Sequence, residues 1–260
     1  MSDQQRSETP FANADVQWLD LIASARQWFS GPYGQLMLES QQPLIEEELA
    51  RFFGSYMLHY GPFAGEPPRV EQIQHCVRVG APFAGVDIAC EEHAWPMTEH
   101  AADVVVLQHG LDFSLSPHGL LREAAHSVRP GGHLLIVGIN PISSWGLRHV
   151  LTRDALHQAR CISSSRVCDW LRLLGFALEK RRFGCYRPPL ASRVWQQRLA
   201  PLESWAGAWQ APTGGFYLLV ARKLVVGLRP LREPRREPMG ALVPMPVAKI
   251  SRCDADKSAT

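Results

Sequence analysis

Short apolar runs alternate along the chain with longer segments in which apolar residues recur every three or four positions. The apolar runs that predict β-strands lie at residues 55–60, 75–80, 85–90, 103–109 and 133–139. The last two runs contain almost no polar residue, which is typical of parallel strands that helices cover on both faces. The pattern therefore predicts an α/β protein built on a parallel sheet.

The clearest repeating unit lies between those last two runs. Ser116 is suited to cap a helix, and Pro117 is suited to its first position. The apolar stripe of this helix comprises Leu120, Leu121, Ala124, Ala125 and Val128. Gly131 and Gly132 are predicted to end the helix in the left-handed conformation, after which the next strand begins. This order predicts a right-handed βαβ crossover, the unit of a doubly wound sheet.

Two helices are predicted ahead of the first strand. Residues 15–29 place apolar side chains on one face of a helix, and Ser-Gly-Pro at residues 30–32 ends it. A second helix is predicted to begin at Pro43, with acidic residues in its first turns, where the helix dipole favours them. We interpret residues 1–50 as an N-terminal helical extension that covers an edge of the sheet.

The chain beyond the crossover predicts two more helices and two more strands. A helix that ends at Gly175 precedes a strand of mixed pattern, and Leu202, Trp205 and Trp209 mark a further helix. A last strand is predicted at residues 214–225. We expect it to be antiparallel, because no crossover helix of normal length comes immediately before it.

These elements set the predicted domain boundaries. The α/β domain spans residues 51–225, and it contains every predicted strand. Residues 226–260 are rich in Pro and Arg and show no periodic apolar pattern. A segment of this composition cannot bury enough apolar surface to fold, so we predict a disordered C-terminal tail.

Composition narrows the class of protein. The chain has 260 residues, of which 46% are hydrophobic and 20% charged, and its formal net charge is +2. No overall field therefore favours nucleic acid or an anionic membrane as a partner. The first residues are polar and lack the basic-then-apolar order of a signal peptide, and no apolar run approaches the roughly 20 residues of a membrane helix, so we expect a cytoplasmic protein without membrane insertion. The six scattered cysteines predict reduced thiols and no metal site.

Residues 91–138, EEHAWPMTEHAADVVVLQHGLDFSLSPHGLLREAAHSVRPGGHLLIVG, carry an ordered set of motifs. Glu91 is followed by Trp95-Pro96-Met97, then by an apolar strand and the helix that ends in Arg-Pro-Gly-Gly. In this order and spacing the chain resembles the class I S-adenosylmethionine-dependent methyltransferases. The likeness is to the type-11 branch, which includes the ubiquinone and biotin pathway methyltransferases. It implies a Rossmann-like, seven-stranded sheet whose antiparallel last strand is inserted beside the fifth.

The resemblance also implies where S-adenosylmethionine would bind. Ligands of open α/β sheets lie at the carboxyl ends of the strands. Tyr60, Gly61 and Gly65 follow the first strand, at the position of the family's glycine-rich loop. The family's acidic residue and its dense glycines are absent there, and prolines would shorten the helix that follows. We interpret these residues as a degenerate cofactor loop, with a simple turn as the alternative.

Three cofactor candidates follow strand three. Glu91 matches the family's acidic residue on the adenine side, Glu92 adjoins it, and Trp95 is placed to flank the adenine ring. The alternative roles are surface charges for the two glutamates and a core position for the tryptophan. No Asp or Glu follows Val79 at the end of strand two, so the ribose-binding acid of the family has no counterpart.

Strand four ends in Gln108 and His109, where the family places groups beside the methyl-bearing sulfur. Methyl transfer is an in-line displacement, so positioning dominates, and a base is needed only if the acceptor keeps its proton. His109 is the candidate catalytic base, because imidazole titrates near neutrality. A structural, hydrogen-bonded histidine is the alternative. Asp112 and His118 are further candidates in the same stretch.

The function hypothesis is methyl transfer from S-adenosylmethionine to a small-molecule acceptor whose identity the sequence does not specify. Asn140, Trp145 and Arg148 follow strand five and are candidates to border the acceptor pocket. The alternative is a non-catalytic, methyltransferase-like scaffold or binding protein with a degraded cofactor site. A nicotinamide-dependent oxidoreductase is disfavoured, because strand one lacks Gly-x-Gly-x-x-Gly and strand two lacks its terminal acid.

Overall fold

The computed structural model describes residues 15–62, 68, 70–152, 155–189 and 211–225. Its sheet contains β1 Gly54–Tyr60, β2 Ile73–Gly80, β3 Ile88–Ala89, β4 Ala102–Gln108, β5 Val128–Ile139, β6 Phe176–Gly184 and β7 Phe216–Lys223. The order across this sheet is β3-β2-β1-β4-β5-β7-β6. Strands β1 to β5 are parallel, and β7 is antiparallel to both neighbours, β5 and β6. The predicted Rossmann-like, seven-stranded sheet with an antiparallel last strand is confirmed.

The helices in the described part of the chain are α1 Val16–Ser30, α2 Pro32–Leu49, α3 Pro117–Ser127, α4 Ser144–Leu151 and α5 Ser164–Leu173. Asp15 caps α1, because its side chain accepts a hydrogen bond from the backbone N–H of Gln17 at 2.9 Å. Helix α3 begins at the predicted proline, and Gly175, with φ +81°, follows α5 as predicted. A short 3₁₀ helix, Ala155–Gln158, follows α4.

Several predictions from the sequence lie outside the described residues. These are the helix at 201–210, the disordered tail at 226–260 and the loop position of Gly65. The domain boundaries at residues 50 and 225 also stay predictions. Among the described residues, none of the helices combines the length and the apolar character that a bilayer-spanning segment requires.

Helix α2 begins at Pro32, and the prediction that it starts at Pro43 is wrong. Pro32 occupies the first turn, where a missing N–H costs nothing, whereas Pro43 lies in the helix interior. The residues that α2 buries are Gly34, Leu36, Met37, Gln41, Ile45, Glu48 and Leu49. This packing outweighs the roughly 3 kcal/mol cost of an interior proline. The acidic residues therefore lie in the last turns rather than the first, and packing rather than the helix dipole places them.

Both faces of the sheet carry a core, and different helices cover them. Val104 and Val106 of β4 belong to the core that α1 and α2 cover, whereas Val105 and Leu107 belong to the core that α3 and α5 cover. All four are buried, and they alternate because successive strand side chains point to opposite faces. The absence of polar residues in this strand follows from burial on both sides.

The connections from β1 to β2 and from β2 to β3 contain no helix among their described residues. Residues 61–72 make the first connection, and residues 81–87 make the second. Prolines oppose a helix in the first connection, as the sequence predicts. Helices α1 and α2 pack on Met57 of β1 and Ile73 of β2 and cover these strands instead.

The junction between α3 and β5 differs from its prediction. Helix α3 ends at Ser127, and Val128 is already extended, so the two glycines do not end the helix. Instead they lie within β5, where Ala102 pairs with Val128 and Val104 pairs with His133, which leaves a bulge in β5. Gly131 has φ +81°. A Cβ at residue 132 would lie 2.6 Å from a β4 carbonyl oxygen, so glycine permits this close approach.

Glu48, near the end of α2, anchors the N-terminal helices to the sheet. Its fully buried carboxylate accepts hydrogen bonds from Lys180 at 3.0 and 3.1 Å, from Arg182 at 3.1 Å and from Arg51 at 3.1 Å. Burial raises the pKa of Glu48, but the hydrogen bonds from Lys180 and Arg182 outweigh burial, so its pKa is lowered overall. The stabilisation that Glu48 provides is therefore complete above pH 4.5, the ordinary pKa of its carboxyl. It is lost as the pH falls through the lowered pKa of the folded protein.

The substitution Glu48→Gln is expected to lower the free energy of unfolding at neutral pH by roughly 2 kcal/mol, because buried bonds to a charged acceptor are lost. Urea denaturation followed by tryptophan fluorescence measures this difference, which should shrink below pH 4.5. The matched control is Glu47→Gln, which removes an exposed partner of Arg182 and should leave stability nearly unchanged. Equal losses at both positions would contradict the anchoring role of Glu48.

Candidate functional site

The order of strands reverses between β1 and β4, and open α/β sheets bind ligands in the crevice at such a point. Tyr60 ends β1 here, and Gln108 ends β4. Helix α1 also contacts this edge of the sheet. Arg26 donates hydrogen bonds to the carbonyl oxygens of Pro62 at 3.4 Å and Ala84 at 2.9 Å, in the loops after β1 and β2. The N-terminal helices are thus part of the edge where a ligand is expected.

Five side chains form a continuous chain of hydrogen bonds at this edge: His59, Gln108, Gln41, His109 and Asp112, which we call the buried relay. The ring Nε2 of His59 lies 3.0 Å from Gln108 Oε1, and Gln108 Nε2 lies 3.2 Å from Gln41 Oε1. Gln41 Nε2 then lies 2.7 Å from His109 Nε2, and His109 Nδ1 lies 2.9 Å from Asp112 Oδ2. Gln108 is partly exposed, and the other four side chains are buried. The relay therefore links α2 to the ends of β1 and β4.

His109 holds a backbone conformation that is uncommon for a residue with a side chain. Its φ is +55°, and its ring lies 4.8 Å from the ring of Phe29 in α1. Hydrogen bonds at both ring nitrogens hold it in place. At the other end of the relay, burial lowers the pKa of His59 to about 4, so His59 is neutral at physiological pH.

Three buried polar groups beside the end of β1 lack a hydrogen-bond partner among the described residues. They are the hydroxyl of Tyr60 and the indole N–H groups of Trp95 and Trp18. The rings of Tyr60 and Trp95 stack with centroids 5.4 Å apart. Burial raises the pKa of Tyr60 well above its ordinary value, and the Trp18 indole offsets part of that rise through a contact that does not reach hydrogen-bond geometry. Because an unpaired buried donor costs about 1–3 kcal/mol, acceptors from a bound molecule or an ordered water would stabilise this group.

Glycines permit the ends of β1 and β4 to pack closely together. A Cβ at Gly61 would overlap the carbonyl oxygen of Gln108, and a Cβ at Gly110 would lie 2.7 Å from the ring of Tyr60. Both positions therefore require glycine, whether or not a cofactor binds. The structure brings Tyr60, Gly61 and Gln108 together, as their placement in the sequence predicts.

The two glutamates after β3 differ in their surroundings. Glu92 is buried and accepts hydrogen bonds from the Ser114 hydroxyl at 2.7 Å and from the backbone N–H groups of Leu115 at 3.1 Å and Ser116 at 2.8 Å. Both of its oxygens therefore hold the loop ahead of α3. The side chain of Glu91 is 33% exposed, and its Oε2 lies 3.7 Å from a histidine ring. Of the two, Glu91 has the carboxylate that a ligand can reach.

The remaining candidates contact other parts of the protein. Asn140 donates to two backbone carbonyl oxygens just before β7, each at 2.8 Å, and Trp145 donates to the carbonyl oxygen of Arg187 at 2.9 Å. The guanidinium of Arg148 lies 4.1 Å from an aromatic ring of α2. The ring of His118 contacts a tryptophan of α5, with centroids 3.7 Å apart. Asn140 and Trp145 therefore fix the segments around α4.

Three residues of this edge are not among the candidates that the sequence predicts: Trp18 and Arg26 of α1 and Gln41 of α2. They belong to the segment that the sequence predicts to be a cover of the sheet. A signal for Gln41 exists in the sequence, because it lies between Met37 and Ile45 at a spacing of four residues. A polar residue on the core-facing stripe of a helix indicates a buried hydrogen bond.

Comparisons with known proteins bear on the fold. No family model matches the chain. The uncharacterized protein YafS of Escherichia coli strain K12 is 28% identical over 218 residues, which cover 81% of this chain and 87% of YafS. A chain from the complex of the Haloferax volcanii Trm112 methyltransferase activator with a candidate methyltransferase has a TM-score of 0.54 at 14% identity, covering 77% of this chain and 97% of that one. A SAM-dependent methyltransferase of Thermotoga maritima has a TM-score of 0.49 at 15% identity, covering 80% and 93%. The Haloferax likeness is one of fold, and it agrees with the Rossmann-like, seven-stranded sheet described above.

The substitution Tyr60→Phe is expected to leave the free energy of unfolding of the ligand-free protein unchanged or to raise it by up to about 1 kcal/mol, because it removes a buried hydroxyl without a partner. The matched control is Tyr186→Phe, whose hydroxyl lies 3.1 Å from the carbonyl oxygen of Ala211 and whose loss should cost about 1 kcal/mol. Urea denaturation compares the two variants. A similar loss at both tyrosines would mean that the Tyr60 hydroxyl is hydrogen bonded in solution.

Proposed function

We propose that the chain transfers the methyl group of S-adenosylmethionine to a small-molecule acceptor, with the donor bound at the carboxyl ends of β1, β3 and β4. The observation that carries this proposal is the group of unpaired buried donors from Tyr60, Trp95 and Trp18 beside the point where the strand order reverses. The Haloferax chain of similar fold comes from a complex that is named for a methyltransferase. For this reason we favour S-adenosylmethionine over other nucleotides as the ligand of this site.

The residues at this edge fit the chemistry of S-adenosylmethionine. The cofactor has a carboxylate and ring nitrogens that accept hydrogen bonds, and the unpaired groups of Tyr60, Trp95 and Trp18 are donors. The aromatic surfaces of the same residues suit an adenine ring. The cofactor also has ribose hydroxyls that need an acceptor. No acid follows β2, so Glu91 is the carboxylate that we assign to this part.

Bound S-adenosylmethionine would supply an electrophilic methyl group, and the protein would bind, orient and exclude water. We assign orientation at the end of β4 to Gln108, the partly exposed member of the relay. We assign the role of base to Nε2 of His109, because Nδ1–H donates a hydrogen bond to the Asp112 carboxylate and the lone pair is then on Nε2. In this structure Nε2 accepts a hydrogen bond from Gln41. Gln41 and His109 are both fully buried, so this role requires the Gln41 amide to move aside, after which an acceptor hydroxyl would give its proton to Nε2.

A non-catalytic scaffold is the second candidate, and the first loop favours it. The described residues of the connection between β1 and β2, which are 61, 62, 68 and 70–72, form no helix, whereas the family that the sequence resembles has a glycine-rich loop and a helix after its first strand. Gly61 also packs against the main chain of Gln108. In this case the same edge of the sheet would bind a partner without transferring a methyl group.

Calorimetric titration with S-adenosylhomocysteine tests the proposal. We expect the wild-type protein to bind with a micromolar Kd. The substitution Trp95→Phe keeps an aromatic ring and removes the indole N–H, so it should weaken binding about tenfold, or about 1.4 kcal/mol. The matched control is Trp170→Phe, because Trp170 lies on α5 and contacts His118 rather than β1. This control should leave the affinity unchanged.

The same titration distinguishes the candidates. Binding that is weakened by Trp95→Phe but not by Trp170→Phe supports the methyl-donor site. A folded wild-type protein that gives no heat with millimolar S-adenosylhomocysteine would overturn the methyltransferase proposal in favour of the scaffold. A thermal shift with NAD alone would instead support an oxidoreductase.

A further inference from the structure

The buried relay has a defined direction because it ends at a carboxylate. Oδ2 of Asp112 lies 2.9 Å from the backbone nitrogen of Ile139 and 2.9 Å from Nδ1 of His109. An ionised carboxylate accepts hydrogen bonds and donates none. Neutral His109 therefore has its proton on Nδ1, and its Nε2 has a lone pair.

That lone pair determines the orientation of both glutamine amides. Gln41 directs its N–H to His109, which leaves its oxygen to accept from Nε2 of Gln108. Gln108 consequently directs its own oxygen to Nε2 of His59, and that nitrogen must bear the proton. One carboxylate thus sets the tautomers of two imidazoles and the orientation of two amides.

We propose that the buried relay is a single orientational unit, in which Gln41 and Gln108 are positioning residues that couple the proton positions of His109 and His59. If one amide turned alone, two donors or two acceptors would face each other inside the protein, so the members change together. A proton on Nε2 of His109 would favour the reversed orientation of both amides, and His59 would then release its Nε2 proton to solvent and take up another from solvent at Nδ1. The protonation state of His109 would therefore alter the hydrogen bond at His59 of β1 without a change of backbone conformation.

The groups around the His109 end of the relay are consistent with an ionised Asp112. The ring of Phe29 in α1 packs against His109 and carries no charge. Tyr217 of β7 and Cys161 interact electrostatically with Asp112. Burial, followed by the negative charge of Asp112, raises the pKa of both groups, so both stay protonated beside the carboxylate.

Gln108 is the residue through which the coupling would affect a bound ligand. It is the partly exposed member of the relay, so it is the one that a bound molecule can touch. The state of His109 would decide whether that molecule meets an amide N–H or an amide oxygen. This consequence rests on the proposed function, whereas the coupling itself is measured in the ligand-free protein. Failure of one is therefore distinguishable from failure of the other.

The test is NMR of the imidazole nitrogens in protein labelled with ¹⁵N-histidine, with no ligand present. In the wild type we expect His59 as the Nε2–H tautomer and His109 as the Nδ1–H tautomer. In Gln41→Leu the relay is interrupted, so Gln108 loses the partner that orients it. The population of the His59 Nε2–H tautomer should then fall relative to the wild type, although Gln41 does not bond to His59. His109 should keep its Nδ1–H tautomer, because Asp112 still accepts from it.

A conservative variant separates the coupling from a merely structural role. Gln41→Glu still offers an oxygen to Nε2 of Gln108, so it should restore the wild-type tautomer of His59. The control Gln35→Leu removes another α2 glutamine, which donates to the carbonyl oxygen of Phe29 outside the relay, and both tautomers should be unchanged. A folded Gln41→Leu protein in which the His59 tautomer populations equal those of the wild type overturns the proposal. If that variant does not fold, a mixed His59 tautomer in Gln41→Glu overturns it equally.

Discussion

The carboxyl ends of β4 and β5 are organised around the buried carboxylate of Asp112. It accepts hydrogen bonds from Ile139, at the end of β5, and from His109, at the end of β4, and so ties the two strand ends together. An unpaired charge at this depth would cost several kcal/mol, which exceeds the cost of the left-handed backbone of His109. Once His109 is held in this way, its second nitrogen determines where the side chain of Gln41 must lie. Helix α2 is therefore positioned by the same carboxylate.

Buried acidic side chains also determine other junctions of the fold. Glu92 holds the loop ahead of α3 through three donors, and Glu48 holds α2 against β6 through cations. Asp103 accepts from two backbone N–H groups at the start of β1 and pairs with Arg129. The apolar cores on both faces provide most of the driving force for folding. The directional bonds of these carboxylates decide how loops and helices are placed against that core.

The N-terminal helices distinguish this site from the cofactor site of the family that the sequence resembles. The first two connections of the sheet contain no helix in their described residues, and α1 and α2 cover these strands. As a result, this edge of the sheet also contains three residues of the N-terminal helices, namely Trp18, Arg26 and Gln41. In the family that the sequence resembles, the glycine-rich loop and the ribose-binding acid occupy this edge. Here, aromatic donors and a buried relay occupy it.

The sequence by itself determined the sheet, its antiparallel last strand and the helices on both faces, because periodicity reports which side chains are buried. It also placed Tyr60, Gly61 and Gln108 together, since the carboxyl ends of neighbouring parallel strands meet at one edge. Tertiary structure alone decided that α2 passes through Pro43 and that Gln41 meets His109. These outcomes depend on contacts between residues far apart in the chain, where packing and burial of charge outweigh local preference. No local pattern records such contacts, because their energy exists only once both segments are folded.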